Sequence, residues 1–151
     1  MDGLDPLLSP ARAFMHLDAA DTDFATARVV VVPVPFDGTT CYQPGTREGS
    51  RAIIDASRNL ELYDTELGFS PYSVGIHTLR AVEIVNGDAE AMVNRTEMVT
   101  GALLDQGKFV VTLGGDHLTS IGVIRAFAQR HAEMSVLQLD AHADLRDEYE
   151  G

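Results

Sequence analysis

Cysteine and positive charge are scarce in this sequence of 151 residues. The single cysteine, Cys41, excludes an internal disulfide framework and a zinc cluster built from thiolates. Only 11 Lys and Arg residues stand against 23 Asp and Glu residues, which gives a formal net charge of -12. Nucleic-acid binding needs clustered positive charge, so this balance argues against nucleic acid as a partner. Metal ions and cationic small molecules suit an acidic chain better.

Long apolar runs are missing as well. The run from Val29 to Val32 ends at Pro33, far short of the ~20 apolar residues that span a bilayer. No basic region followed by an apolar core opens the sequence, so secretion is not indicated. Together with the single cysteine, these features favour a cytoplasmic protein without a membrane segment.

Strand and helix signals alternate along the chain. The β-branched run "ARVVVVPV" at residues 27–34 predicts a strand buried on both faces. Further strands are predicted at residues 81–85, 108–113 and 134–139, and helices at 51–63, 88–106 and 119–131. This alternation predicts an α/β fold with three layers, in which helices cover both faces of a mainly parallel sheet. We expect one domain over residues 27–151, preceded by an irregular arm at residues 1–26.

Two polar motifs follow predicted strands. In "TLGGDHLTS", Asp116 and His117 come after the strand at 108–113, and in "LQLDAHAD", Asp140 comes directly after the strand at 134–139. A single helical crossover joins these strands, so we expect them to be neighbours, with His117 near Asp140. If the chain stays extended, Asp140, His142 and Asp144 point to one side.

These side chains form a mixed oxygen and nitrogen donor set without a thiolate. Such a set favours Mn²⁺, Fe²⁺, Co²⁺ or Zn²⁺ over Ca²⁺ or copper, and the carboxylates favour manganese. Taken alone, the D-x-H-x-D motif could equally be a polar strand end that caps a helix or faces water. The second motif at the preceding strand end favours a metal site. The candidate ligands are His117, Asp140, His142 and Asp144.

The pair GGDH and DAHAD resembles the ureohydrolase family of arginases and agmatinases. The segment "VPVPFDGTTCYQPGTREGSRAIIDAS" is similar to the family's N-terminal strand, loop and helix, and "NLELYD" and "DAHADLRDEYEG" look most like bacterial agmatinases. The resemblance covers residues 27–151 and implies an arginase-like fold. Ser50 stands where the family commonly has proline.

The resemblance implies hydrolysis of a guanidinium group at a centre of two Mn²⁺ ions, with agmatine giving putrescine and urea as the leading case. His117, Asp140 and Asp144 would hold one ion, and His142 with Asp140 the other, so that Asp140 bridges them. A hydroxide between the ions would be the nucleophile, and no side chain is assigned as catalytic. Asp116 is expected to support the ligands rather than bind metal.

Charge counting indicates that this ligand set is incomplete. Two divalent ions carry four positive charges, and Asp140 and Asp144 return two. The family supplies further carboxylates from a later D-x-D motif, which has no counterpart here, and its members are roughly twice as long. We therefore expect the chain to be the N-terminal half of a ureohydrolase domain and to release no urea alone. The complete protein is expected to be a homo-oligomer, either a trimer or a hexamer.

Several functions remain open at this point. Guanidinobutyrase, proclavaminate-type amidinohydrolase, formimidoylglutamase and arginase share the motifs and differ in how they recognise the far end of the substrate. A non-catalytic class is also open, namely a truncated paralogue that binds metal weakly or docks on another ureohydrolase subunit. The motifs alone do not separate these functions.

Overall fold

A sheet of three parallel strands forms the centre of the fold. The structure, a computed structural model, describes residues 13–145. The strands are β1 (Val29–Pro33), β2 (Ile76–Thr78) and β3 (Phe109–Leu113), in the order β2-β1-β3. Part of the predicted arm, residues 1–12, and the end of the second motif, residues 146–151, lie outside the described residues.

The described residues also form four α-helices. They are α1 (Ala19–Thr22), α2 (Gly49–Ala56), α3 (Ala89–Leu104) and α4 (Leu118–Ala128). Short 3-10 helices occur at Phe14–His16, Thr46–Glu48, Ser57–Asn59 and Pro71–Val74. The step from β1 to β2 and the step from β2 to β3 run in opposite directions across the sheet. Right-handed crossovers then place α2 and α3 on opposite faces, which is the predicted three-layer α/β arrangement.

The central strand is β1, as its composition predicts. Val30 and Val32 are fully buried and Val31 is nearly so, because strands on both sides and layers above and below cover it. β1 pairs with β3 from Val29↔Phe109 to Pro33↔Leu113. The core cluster around it consists of Val30, Val32, Val34, Phe36, Val82, Met92 and Leu103.

The packing of α3 against α4 supports the end of β3 that leads to the first motif. Asp88 caps α3 by accepting a hydrogen bond from the Ala91 amide at 2.8 Å, as its residue type predicts. A side chain at Gly122 of α4 would place its Cβ 2.5 Å from the Val93 carbonyl oxygen, so the two helices approach closely there. The Arg125 guanidinium also donates to Glu90 at 2.6 Å.

Two predicted elements are displaced or shortened. The strand expected at 81–85 is wrong: the pairing strand is β2, where Ile76, a histidine and a threonine pair with β1. Residues 81–85 are not part of the sheet, although the Val82 amide donates a hydrogen bond to the Pro33 carbonyl at 2.8 Å. The helix expected at 51–63 ends at Ala56, because the chain turns through a 3-10 helix and becomes extended at Leu60.

The strand predicted at 134–139 is also wrong. Residues 132–145, which we call the ligand segment, are exposed throughout and contain no strand. Among the described residues, no amide of this segment donates to a backbone carbonyl. A strand needs a neighbour that exchanges its backbone hydrogen bonds, and the apolar pattern of "MSVLQL" does not specify one.

The described part of the predicted arm, residues 13–26, packs on the β2 side of the sheet. The Phe14 amide donates to the Thr78 hydroxyl at 2.8 Å, and Nδ1 of His77 lies 2.7 Å from the Thr22 carbonyl oxygen. These contacts attach residues 13–26 to β2. A domain boundary at residue 26 stays a prediction.

Candidate metal centre

Two glycines shape the backbone between β3 and the first candidate ligand. A Cβ at Gly115 would lie 2.1 Å from the Phe36 carbonyl oxygen, and a Cβ at Gly114 would lie 2.2 Å from the Thr119 hydroxyl oxygen. Neither position can carry a side chain without moving its neighbours. The glycines therefore let the chain pass close to the end of β1 before His117.

His117 stands at the start of α4, beyond the carboxyl end of β3. Its Nε2 lies 3.3 Å from Oδ2 of Asp144 and 3.7 Å from Oδ2 of Asp140. One ligand atom from each of these three residues lies within 4.8 Å of the other two. The structure thus brings His117 close to Asp140, as expected, although the strand that was to place Asp140 there is absent.

His142 occupies a different position from its two neighbours in the motif. The extended conformation expected for residues 140–144 is wrong, because the chain bends at 141–142 and Asp144 has φ of 52°. The His142 amide donates to Oδ1 of Asp140 at 2.8 Å, a side-chain turn that aspartate forms readily. Nδ1 of His142 lies 3.8 Å from the same oxygen, so His142 borders Asp140 and stands outside the three-residue cluster.

The Asp140 carboxylate lies between the two histidines. Oδ2 of Asp140 faces His117 and Oδ1 faces His142. Its side chain is 22% exposed, whereas the imidazoles of His117 and His142 are 77% and 83% exposed. A carboxylate with one oxygen directed to each side can serve two ions at once.

The donor set fits a divalent transition metal. One imidazole nitrogen and two carboxylate oxygens from His117, Asp140 and Asp144 converge within 4.8 Å, and nitrogen with oxygen donors suits manganese, iron, cobalt or zinc. The two carboxylates balance the charge of one such ion. The ligand roles of these residues stay predictions.

Asp116 does not face this cluster. Its Oδ2 accepts hydrogen bonds from the Thr39 amide at 2.9 Å and the Thr39 hydroxyl at 2.7 Å, while Oδ1 accepts from the Leu118 amide at 3.2 Å. Asp116 therefore joins the loop after β1 to the residues around His117. The supporting role expected of Asp116 stays a prediction.

An ion pair between the buried Asp37 and the exposed Arg47 organises the loop after β1, residues 37–47, which we call the β1 loop. Asp37 is 2% exposed and accepts from the Gly45 amide at 2.7 Å and from Nε of Arg47 at 2.6 Å. The hydrogen bond from the Arg47 side chain, helped by the Gly45 amide and opposed by burial, lowers the pKa of Asp37 from 3.8 to about 2. Sequence reasoning placed these residues in a loop without recognising the pair. An aspartate among apolar residues in "VPFDG" was the available signal.

The comparisons with known proteins agree with this arrangement of motifs. A model of the arginase family matches residues 27–151. The chain belongs to the arginase family. This is the ureohydrolase family that the GGDH and DAHAD motifs resemble.

The relatives in this family include several ureohydrolases. The chain is 41% identical to N(1)-aminopropylagmatine ureohydrolase of Synechocystis sp., over 95% of this chain and 48% of that protein. It is 43% identical to the Thermus thermophilus protein of the same name, over 87% of this chain and 45% of that protein. It is 34% identical to an agmatinase of Bacillus anthracis, over 85% of this chain and 44% of that protein.

A solved structure shares the fold. The agmatine ureohydrolase of Thermoplasma volcanium superposes with a TM-score of 0.75 at 29% identity, over 98% of this chain and 48% of that one. The chain thus spans about half the length of the relatives that it matches. Within residues 13–145, no helix is long and apolar enough to cross a membrane.

Proposed function

We propose that His117, Asp140, His142 and Asp144 form part of the binuclear manganese centre of a hydrolase that cleaves a guanidinium group. The observation that carries the proposal is the convergence of His117, Asp140 and Asp144 in a chain of the arginase family. Relatives named as ureohydrolases at 41% and 43% identity support the same class of reaction.

Each ligand has a distinct part in the proposal. His117, Asp140 and Asp144 hold one Mn²⁺, and His142 with Asp140 holds the second. The support for a bridging Asp140 is that its two oxygens face different histidines. When bound, the ions supply an ionised water near neutral pH. The chain's own residues supply the ligands, and its net charge of -12 favours a cationic guanidinium substrate.

The carboxylate count limits what this part of the site can do. Asp140 and Asp144 balance one divalent ion, so the second ion needs carboxylates beyond these two. Proton transfer to the leaving amine also needs a carboxyl or imidazole group near it, and His117 and His142 are already assigned as ligands. The proposal therefore assigns catalysis to the full-length protein that contains these residues.

Agmatine, cleaved to putrescine and urea, is the first substrate candidate. N(1)-aminopropylagmatine is an equal candidate, because the relatives named for it are 41% and 43% identical to this chain, against 34% for the Bacillus anthracis agmatinase. Both carry a terminal guanidinium group on a cationic chain, which suits a net charge of -12. The proposal includes a cytoplasmic homo-oligomer, a trimer or hexamer, whose mass light scattering can measure.

Urea release by the full-length protein with Mn²⁺ tests the proposal. Both amines are supplied in turn, and the substrate with the higher kcat/KM is assigned. His117→Ala and Asp140→Ala should abolish urea release. His131→Ala is the matched control, because His131 stacks on Phe127 at the end of α4 and should leave activity unchanged.

Two outcomes of that assay would contradict the proposal. Full activity in His117→Ala or Asp140→Ala would remove that residue from the centre. Absence of urea from every guanidino substrate, despite bound Mn²⁺, would favour a non-catalytic metal-binding paralogue.

A further inference from the structure

The β1 loop reaches the metal centre because β1 and β3 run side by side to their carboxyl ends. Beyond the last paired residues, Pro33 and Leu113, the two chains stay hydrogen-bonded. The Val34 amide donates to the Leu113 carbonyl, and the Asp116 amide donates to the Phe36 carbonyl, both at 2.8 Å. The start of the β1 loop is therefore held beside the residue that precedes His117.

Asp116 holds the backbone on both sides of His117. Its Oδ1 accepts from the Leu118 amide at 3.2 Å, so the Asp116 side chain spans His117. Its Oδ2 accepts two hydrogen bonds from Thr39, one from the amide at 2.9 Å and one from the hydroxyl at 2.7 Å. Hydrogen bonds to a carboxylate are stronger than neutral ones, so this junction resists displacement.

The His117 ring itself has little packing to position it. It is 77% exposed, and the carboxylates of Asp140 and Asp144 that face it belong to the exposed ligand segment. The direction of the ring therefore depends on where the backbone of residues 116–118 lies. That backbone is fixed by Asp116 and by the close approach at Gly115.

Thr39 is held in turn by the rest of the β1 loop. Asp37 binds the Gly45 amide, the Arg47 amide and the Arg47 guanidinium, which closes the loop on itself. The next residue, Thr40, directs its hydroxyl to the Asp37 carbonyl at 3.1 Å. Thr39 and Thr40 are thus adjacent threonines of which only Thr39 contacts Asp116.

We propose that Thr39 and Asp116 are positioning residues that hold His117 in its metal-binding place. This inference rests on the proposed function, since it concerns the same metal centre. Neither residue binds the metal. Their contribution is to keep the His117 nitrogen in position before the ion arrives, and loss of such support typically lowers metal affinity by about 10- to 100-fold.

Mn²⁺ affinity, measured by the electron paramagnetic resonance signal of free Mn²⁺, tests the inference in the full-length protein. Thr39→Val removes the hydroxyl at nearly constant shape and should weaken Mn²⁺ binding by about tenfold. Thr40→Val is the matched control and should bind as the wild type does. Thr39→Ser restores the hydroxyl and should restore the affinity.

Asp116→Asn completes the set. The oxygen of the new asparagine side chain can still accept from the Leu118 amide, but its NH₂ group faces the two donors of Thr39. The Mn²⁺ affinity should therefore fall at least as far as in Thr39→Val. The two substitutions remove the same contact, and the double variant should lose less than the product of the single losses. Unfolding temperatures measured with EDTA separate a loss of support from a general loss of stability.

The outcomes distinguish this inference from the proposed function. Wild-type protein that does not bind Mn²⁺ would overturn the proposed function and the inference with it. Wild-type binding together with unchanged affinity in Thr39→Val and Asp116→Asn would overturn the inference alone. Equal losses in Thr39→Val and Thr40→Val would overturn it too, and Thr39→Ala replaces Thr39→Val if the latter does not fold.

Discussion

The candidate ligands lie on two parts of the molecule that differ in how firmly they are held. His117 lies between β3 and α4. Gly114 and Gly115, which precede it, approach neighbouring residues closely, and Asp116 accepts a hydrogen bond from the Leu118 amide. Asp140, His142 and Asp144 lie on the ligand segment, which is exposed and, within the described residues, has no amide that donates to a backbone carbonyl. The packed body, residues 13–131, thus holds one candidate ligand in place, and the ligand segment carries the other three.

The difference teaches where the free energy of metal binding acts. In the body, the conformational entropy that is lost in placing His117 is lost when the protein folds, before any ion binds. On the ligand segment, a bound ion would have to order the candidate ligands, so we expect binding and ordering to be coupled there. Changes in the body away from Thr39, Asp116 and His117 should alter stability, whereas changes in the segment should alter metal binding alone.

The largest expected effect comes from a side chain at Gly115. Gly115→Ala places a Cβ 2.1 Å from the Phe36 carbonyl oxygen and should lower the free energy of unfolding by about 1–3 kcal/mol or more. Urea denaturation measures the change. Gly49→Ala is the control, because no atom lies within 4 Å of its added Cβ. It should be neutral or stabilising by up to about 1 kcal/mol; equal destabilisation of both variants would contradict the close approach.

The second effect distinguishes the two parts by hydrogen exchange. Mn²⁺ should slow amide exchange in residues 138–145 by about tenfold, because the ion would order a segment whose amides donate to no backbone carbonyl of residues 13–145. Exchange in β1 should stay unchanged, since it is already protected. Slowing in β1 without slowing in the ligand segment would contradict the comparison.

The third effect is a dependence on acid pH in the body. The pKa of Asp37 is lowered from 3.8 to about 2, so its charged form is favoured by folding. Its contribution is fully present above pH about 4 and is lost as the pH falls through about 2. The unfolding temperature of Asp37→Asn, relative to wild type, should differ less at pH 2 than at pH 6. A constant difference across that range would exclude the ion pair with Arg47 as the cause.

The smallest effect concerns a buried hydroxyl in α3. Among the described residues, the Thr100 hydroxyl has no hydrogen-bond partner, whereas that of Thr96, one turn earlier, donates to the Met92 carbonyl at 3.1 Å. Thr100→Val should stabilise the body by about 1 kcal/mol, because it removes an unmet polar group at constant shape. Thr96→Val should not stabilise, and thermal unfolding measures both. A gain in Thr96→Val equal to that in Thr100→Val would contradict this assignment.

The body could be predicted from the sequence where local signals agree with the packing. The valine run predicts β1, and Asp88 predicts the start of α3. β2 was misplaced because a short strand containing His77 and Thr78 has no distinctive pattern. The apolar residues of 134–139 predicted a strand wrongly, since strand formation depends on a partner that sequence alternation does not identify.

The site divides in the same way. The proximity of His117 to Asp140 and Asp144 could be predicted, because residue types and motif spacing carry it. The contact between Thr39 and Asp116 could not, since it joins residues 77 positions apart through side chains without a motif signal. The conformation of Asp144 was missed as well, because its φ of 52° depends on the bend that follows Asp140.

The most direct test of the metal centre is the stoichiometry and affinity of Mn²⁺ binding to the 151-residue chain, measured by isothermal titration calorimetry. The two carboxylates near His117 balance one divalent ion, so we expect about one Mn²⁺ per chain. His117→Ala and Asp144→Ala should each abolish that binding, while Asp105→Asn at the C-terminal end of α3, where Asp105 pairs with Arg130, should leave it intact. Absence of binding by the wild-type chain, or equal binding by His117→Ala, would contradict the account.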